Sequence, residues 1–112
     1  MVWSQLMRKH EKKIKKAMQA ANWDALMNKH MRFVVYLYDD GSIYTMQDIA
    51  GGNSFIRAAH EGRAIHVCGY CHQYEDGNPS LAQSYYKKEL LDEEFDRCLE
   101  ELEFSEYFDN AF

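Results

Sequence analysis

The spacing of apolar and small residues near the start of the chain constrains the fold more than any other feature. Over residues 3–28 these residues recur in steps of four and three, the spacing that places side chains on one face of an α-helix. They are Trp3, Met7, His10, Ile14, Ala17 and Ala21. The pattern predicts a long N-terminal helix that breaks near Asn22 or ends near Asn28.

A β-hairpin is predicted directly after this helix. Aromatic and β-branched residues dominate residues 32–38, a polar turn occupies residues 39–42, and residues 43–46 suit a short returning strand. This hairpin would begin a small antiparallel sheet.

A short helix and a third strand are predicted in the middle of the chain. Ser54 can cap a helix that runs to Ala59 or Glu61, and Gly62 stands where glycine commonly ends a helix. Residues 63–73 then alternate in the manner of a strand with two distinct faces. One face should carry Ile65, Val67, Gly69 and Cys71, and the other His66, Cys68, Tyr70 and His72.

An acidic helix is predicted near the end of the chain. Apolar residues recur there at helical spacing among carboxylates, which predicts a helix over about residues 92–104 followed by an aromatic tail. Residues 81–90 fit either a helix or a fourth strand, and the capping-box spacing of Ser80 and Gln83 favours a helix. The helical stripe consists of Leu91, Phe95, Cys98, Leu99 and Leu102.

These elements predict one α+β domain over residues 1–112. It would contain a long N-terminal helix, a small antiparallel sheet of three to four strands, a short middle helix and an acidic C-terminal helix. The predicted core consists of Trp3, Leu6, Ile14, Met18, Trp23, Leu26, Val35, Leu37, Ile43, Phe55, Ile65, Val67, Leu91, Phe95, Leu99 and Leu102.

The composition indicates a folded chain without a membrane-spanning segment. Hydrophobic residues make up 46% of the 112 residues, and there is one proline. No apolar run approaches the ~20 residues that span a bilayer, and the N-terminus lacks a signal-peptide pattern. The three cysteines are an odd number, which does not suit a secreted disulfide framework. We therefore expect a cytoplasmic protein with no membrane partner, and its oligomeric state is left open.

Charge is arranged in two blocks of opposite sign. Residues 1–32 hold eight Lys and Arg against two acids, a net charge of +6, and residues 33–112 hold five against sixteen, a net charge of −11. The basic block could bind nucleic acid through residues 8–16. The alternative is a solvated helix face that the acidic C-terminal helix partly neutralises. The candidate basic surface consists of Lys9, Lys12, Lys13 and Lys16.

The acidic block suggests a surface for a protein partner. Ten carboxylates lie between Glu89 and Asp109, opposed by Arg97 alone and interleaved with aromatic residues. Carboxylates along a helix can imitate a phosphate backbone, and aromatic side chains can anchor an interface. The candidate contact residues are Glu93, Glu94, Glu100, Glu101, Glu103, Glu106, Tyr107 and Asp109.

In size, acidity and aromatic content this block resembles the nucleic-acid mimics that phages encode, including anti-restriction and anti-CRISPR inhibitors. The resemblance implies a small inhibitor or regulator of a nucleic-acid-binding protein. It includes no shared sequence motif. No complete catalytic motif is present in the sequence, so we expect a non-catalytic protein with no catalytic residues and no cofactor.

A cluster of cysteine and histidine offers an alternative function as a zinc-binding domain. Cys68 and Cys71 form a Cys-x2-Cys pair flanked by His66 and His72, and thiolate and imidazole are the ligands zinc prefers. In a regular strand, residues three apart point to opposite faces, so a bend at Gly69 would be needed for the two thiols to meet. The plainer interpretation is that Cys71 lies in the core, while a half-exposed sheet face carries His66, Cys68, Tyr70 and His72.

Overall fold

The computed structural model describes residues 2–28, 31–47, 54–71 and 87–111. Within these ranges the chain forms four helices and three antiparallel strands, so the predicted α+β class is confirmed. Most of the segment that fits either a helix or a fourth strand, residues 81–86, lies outside them. The helices are α1 (Trp3–Lys9), α2 (Glu11–Met27), α3 (Ser54–His60) and α4 (Lys88–Ala111), and the strands are β1 (Arg32–Tyr38), β2 (Ile43–Gln47) and β3 (Ala64–Cys71).

The strands form an antiparallel sheet in the order β2-β1-β3, with the hairpin as predicted. Tyr36 pairs with Tyr44 across the hairpin. The turn is closed by Asp40, whose carboxylate accepts a hydrogen bond from the Ser42 N–H at 2.8 Å and whose pKa is lowered by hydrogen bonding to Ser42. Gly41 has φ +86°, which only glycine adopts at low cost.

A β-bulge in β3 changes which side chains reach the core. Val35 pairs with Cys68 but Tyr36 pairs with His66, so Val67 is an extra residue on β3. Residues after the bulge therefore switch faces, and Cys68 and Tyr70 join the hydrophobic core with exposures of 4% and 5%. The predicted half-exposed position of these two side chains was wrong, because strict alternation ignores an inserted residue.

The N-terminal helix breaks at His10 and not at Asn22. His10 has φ −110° and ψ 25° and separates α1 from α2, whereas Asn22 is buried inside α2. The His10 ring lies over the hairpin turn, so closely that a Cβ added to Gly41 would be 2.6 Å from Nε2. Glycine at the turn thus permits the contact between the helix junction and the hairpin.

The core lies between the sheet and the helices α1, α2 and α4. Helix α2 crosses all three strands, and α4 packs against both α1 and α2. Trp23, a predicted core residue, is 49% exposed because it lies on the outer side of α2, away from Ile14, Met18 and Ala21. The fully buried side chains include Met7, Ile14, Met18, Val35, Leu37 and Phe95.

The opposite face of the sheet carries aromatic side chains and α3. The Phe55 ring stacks on Tyr36 with centroids 3.5 Å apart, and Tyr38 makes an edge contact with Tyr44 at 5.3 Å. Gly62, with φ +74°, follows the end of α3 as predicted. No helix in the described ranges has the length and apolar character needed to cross a membrane.

Candidate interaction surfaces

One flank of the N-terminal helices is neutralised by α4. The Lys15 ammonium lies 2.6 Å from the Asp92 carboxylate, and Arg8 lies 2.6 Å from Glu103. The hydrogen bond between Lys15 and Asp92 raises the pKa of Lys15 and lowers that of Asp92. The prediction that the acidic helix partly neutralises the basic block is confirmed for these two cations.

Three of the candidate acidic contact residues also serve internal contacts. Glu106 accepts hydrogen bonds from the backbone N–H and the hydroxyl of Ser4 at 2.8 and 2.6 Å, which holds the start of α1 against α4. Glu103 pairs with Arg8. Glu94 pairs with Arg97, and its side chain is only 10% exposed. The contacts engage all three carboxylates, and the side chain of Glu94 is also largely buried, whereas Glu103 keeps 41% of its side chain exposed.

The exposed side of α4 presents a single row of side chains in steps of four, three, four, four and three. Four carboxylates come first and two aromatic rings follow, and all six residues are exposed. None of the four carboxylates forms an ion pair with a residue that the structure describes. We call this row the outer stripe, and it consists of Glu89, Glu93, Asp96, Glu100, Phe104 and Tyr107.

An aromatic cluster ends the outer stripe. Phe104 is 64% exposed, Tyr107 70% and Phe108 44%. Phe108 makes edge contacts with both other rings, at centroid distances of 4.6 Å to Phe104 and 6.2 Å to Tyr107. Tyr107 and Phe108, predicted to follow the helix in an aromatic tail, are therefore part of α4, and their rings lie with Phe104 on the surface and not in the core.

The outer stripe overlaps the sequence prediction only in part. Glu93, Glu100 and Tyr107 lie in it, and Glu101 is exposed beside Arg97. The side chain of Asp109 lies outside what the structure describes. Sequence reasoning missed Glu89, Asp96 and Phe104, although helical steps counted from Glu93 would have found all three.

The other flank of the N-terminal helices keeps its positive charge. Its four lysines are all exposed, and none forms an ion pair with any described residue. Lys13 and Lys16 of this row border the hairpin, and Lys12 lies one helical turn before Lys16. We call this row the basic face, and it consists of the predicted residues Lys9, Lys12, Lys13 and Lys16.

The cysteine and histidine residues do not form the predicted cluster in the described part of the chain. The bulge places Cys68 on the core face and His66 on the opposite face beside Tyr36, so the two cannot bind one metal ion together. Among the described residues no three His, Cys, Asp or Glu side chains are arranged to hold a metal. The Cys71 side chain and His72 lie outside them.

Cys68 instead belongs to a buried polar group with residues from β3 and α4. Its sulfur lies 3.6 Å from the Tyr70 hydroxyl, and Cys98 of α4 joins them from 30 positions along the chain. A hydrogen bond with Cys68, together with burial, raises the pKa of Cys98, and burial raises the pKa of Tyr70. A raised pKa keeps the Cys98 thiol protonated and unreactive near neutral pH.

No protein-family model, curated protein or solved structure matches this chain. The outer stripe and the basic face are therefore the features of the molecule that indicate a function.

Proposed function

We propose that the protein is a non-catalytic binding protein whose outer stripe occupies the basic, nucleic-acid-binding surface of a partner protein. It would act as a small inhibitor or regulator of that partner in the cytoplasm. The observation that carries this proposal is the outer stripe itself, a row whose four carboxylates form no ion pair with the described residues and that ends in exposed aromatic rings.

The carboxylates of the outer stripe suit a partner that normally binds phosphates. From Glu89 to Glu100 they extend over about 16 Å of helix axis at intervals of about 5 Å, given a rise of about 1.5 Å per residue. A row of negative charge on a rigid helix complements a basic groove and speeds association with it. The chain as a whole is also acidic, with a net charge of −5.

The aromatic cluster supplies binding affinity that charge alone does not. Exposed charge pairs contribute little affinity, whereas aromatic residues that become buried dominate the binding energy of many interfaces. Phe104 and Tyr107 are exposed by more than half and already make ring contacts with Phe108, so fewer rotamers are lost on binding. The resemblance to phage-encoded inhibitors makes restriction and CRISPR nucleases the most concrete partner class.

The test is inhibition of a panel of purified restriction and CRISPR nucleases by the wild-type protein and matched variants. The wild-type protein should inhibit DNA cleavage by at least one of them. Phe104→Ala/Tyr107→Ala should weaken inhibition by about 30-fold or more, and Glu93→Lys/Glu100→Lys should weaken it further at low salt.

The matched control is Asp39→Lys/Glu61→Lys, which makes the same charge change at exposed sites away from α4. This variant should inhibit as well as the wild-type protein. If the two outer-stripe variants inhibit as strongly as the wild-type protein, the outer stripe is not the contact surface. If no nuclease is inhibited or bound, the proposed partner class is wrong.

A further inference from the structure

The basic face borders two surface clefts that meet at one lysine. The first has a volume of about 390 Å³ and lies between α2 and the hairpin, where Lys13, Lys16, Ser42 and Tyr44 line it. The second is a shallow depression of about 470 Å³ on the outer side of α2, lined by Lys16 and Trp23 among others. Lys16 therefore borders both cavities, and Trp23 borders the second.

Trp23 presents a large part of its surface to solvent beside Lys16, with an exposure of 49%. An indole ring exposed beside a lysine can stack on a planar ligand. The Tyr44 ring is not part of this surface, because Tyr44 pairs with Tyr36 and contacts Tyr38 on the face of the sheet opposite α2.

The acidic residues of α4 do not neutralise this region. Helix α2 contacts α4 through Lys15 on one flank, and on the opposite flank the Ala17 carbonyl accepts a hydrogen bond from the Thr45 hydroxyl of the hairpin at 3.2 Å. The first cleft lies on this second flank. The positive charge beside the cleft is therefore separated by the width of α2 from the acidic pairs that neutralise Arg8 and Lys15.

We propose that the basic face and the two clefts bind single-stranded nucleic acid, with lysines on the phosphates and Trp23 stacked on a base. Proteins that bind single strands combine a basic groove with aromatic rings in this way. A duplex fits less well, because its bases are already stacked and do not reach exposed rings. This activity goes beyond the proposed function, which uses the outer stripe of α4.

The experiment is fluorescence anisotropy with a labelled oligothymidylate of about 15 nucleotides, near the upper end of the site size of small single-strand-binding domains. The wild-type protein should bind it with an affinity that falls steeply between about 50 and 200 mM salt. Lys13→Glu/Lys16→Glu should lose at least about tenfold in affinity, and Trp23→Ala at least about fivefold, because one stacked base is lost.

The matched control is Lys87→Glu/Lys88→Glu, two exposed lysines before and at the start of α4. This variant should bind like the wild-type protein, and circular dichroism should show that every variant is folded. The proposal is overturned if the oligonucleotide does not bind at low salt, or if the control loses as much affinity as Lys13→Glu/Lys16→Glu.

A second copy of the protein is the competing occupant, since its outer stripe is acidic. In that case the protein would self-associate in sedimentation experiments, Lys13→Glu/Lys16→Glu would abolish the association, and the oligonucleotide would not bind. That combination would also overturn the proposal.

Discussion

The two flanks of the N-terminal helices have similar composition but different surroundings. On one flank Arg8 and Lys15 pair with carboxylates of α4. On the other flank Lys13 and Lys16 border the hairpin and Lys12 is exposed, and none of the three forms an ion pair with a described residue. The same contrast divides α4, whose Asp92, Glu103 and Glu106 face inward while the outer stripe does not.

The comparison shows that a charge block in sequence overstates the charge available to a partner. Helical geometry divides each block into residues that stabilise the fold and residues that remain for binding. Four predictions test this division. Two disrupt packing, one on each flank, and two weaken individual polar contacts.

The largest effect is expected from removing the aromatic side chain that anchors α4. Phe95 is fully buried and lies under the Lys15 ammonium, which is 5.2 Å from its ring centroid. Phe95→Ala should lower the free energy of unfolding by about 3–5 kcal/mol. Phe104→Ala, on the exposed side of the same helix, should change it by no more than about 0.5 kcal/mol. Urea denaturation measures both changes in unfolding free energy. Equal changes would contradict the assignment of Phe95 to the buried side of α4 and of Phe104 to its exposed side.

The hairpin flank is tested by a pair of glycine substitutions. Gly41 and Gly62 have φ values of +86° and +74°, so alanine strains the backbone at either site by about 1–2 kcal/mol. At Gly41 the new methyl group would also meet His10 at 2.6 Å, whereas nothing lies within 4 Å at Gly62. The close His10 atoms are the far end of a side chain that can rotate, so Gly41→Ala should destabilise the protein by about 0.5–1.5 kcal/mol more than Gly62→Ala. Thermal unfolding measures both variants. A melting temperature of Gly41→Ala at or above that of Gly62→Ala would contradict this prediction.

A smaller effect is expected from the carboxylate that holds the start of α1. Glu106 accepts two hydrogen bonds from Ser4, and a negative charge near a helix N-terminus is favourable. Glu106→Gln should cost about 1 kcal/mol of unfolding free energy, while Glu100→Gln in the outer stripe should cost almost nothing. Chemical denaturation measures both variants. Equal losses of unfolding free energy would mean that the Glu106 carboxylate contributes no more to stability than the carboxylate of Glu100.

The smallest effect concerns the ion pair between Lys15 and Asp92. Because its hydrogen bond to Lys15 lowers the pKa of Asp92, the pair stabilises the protein above the ordinary aspartate pKa of about 3.9 and stops doing so as the pH falls through the lowered value. The raised pKa of Lys15 places the corresponding alkaline loss above about pH 10.4.

Asp92→Asn removes this dependence. The difference in urea midpoint between Asp92→Asn and the wild-type protein should be largest near neutral pH, shrink toward about pH 2, and decrease with added salt. A difference that does not vary with pH would show that the pair does not form.

The elements of the fold could be predicted because each depends on local periodicity. The helical stripe through Ile14 and the hairpin turn at Gly41 both depend on residues that are close together in the sequence. The bulge at Val67 could not be predicted, since it depends on how β3 pairs with β1. The same limit applies to the helix break at His10, where contact with the hairpin turn matters as much as local sequence.

The sign of the charge on each candidate surface could be predicted from the sequence, but the residues that form the surface could not. The carboxylates that remain for a partner could be selected only once the positions of Arg8, Lys15 and Ser4 were known, because these residues engage Glu103, Asp92 and Glu106 across about 80 to 100 positions of sequence. Cys98 illustrates the same point, since its approach to Cys68 follows from the packing of α4 beside β3.

The most direct test of the central claim uses a nuclease that the protein inhibits. Fluorescently labelled DNA is bound to that nuclease, the protein is titrated in, and anisotropy reports whether DNA leaves. Occupation of the nucleic-acid surface by the outer stripe predicts complete release of DNA, with Phe104→Ala/Tyr107→Ala releasing about 30-fold less effectively and Lys13→Glu/Lys16→Glu behaving like the wild-type protein. A stable complex of all three components, with unchanged affinity for DNA, would contradict the claim.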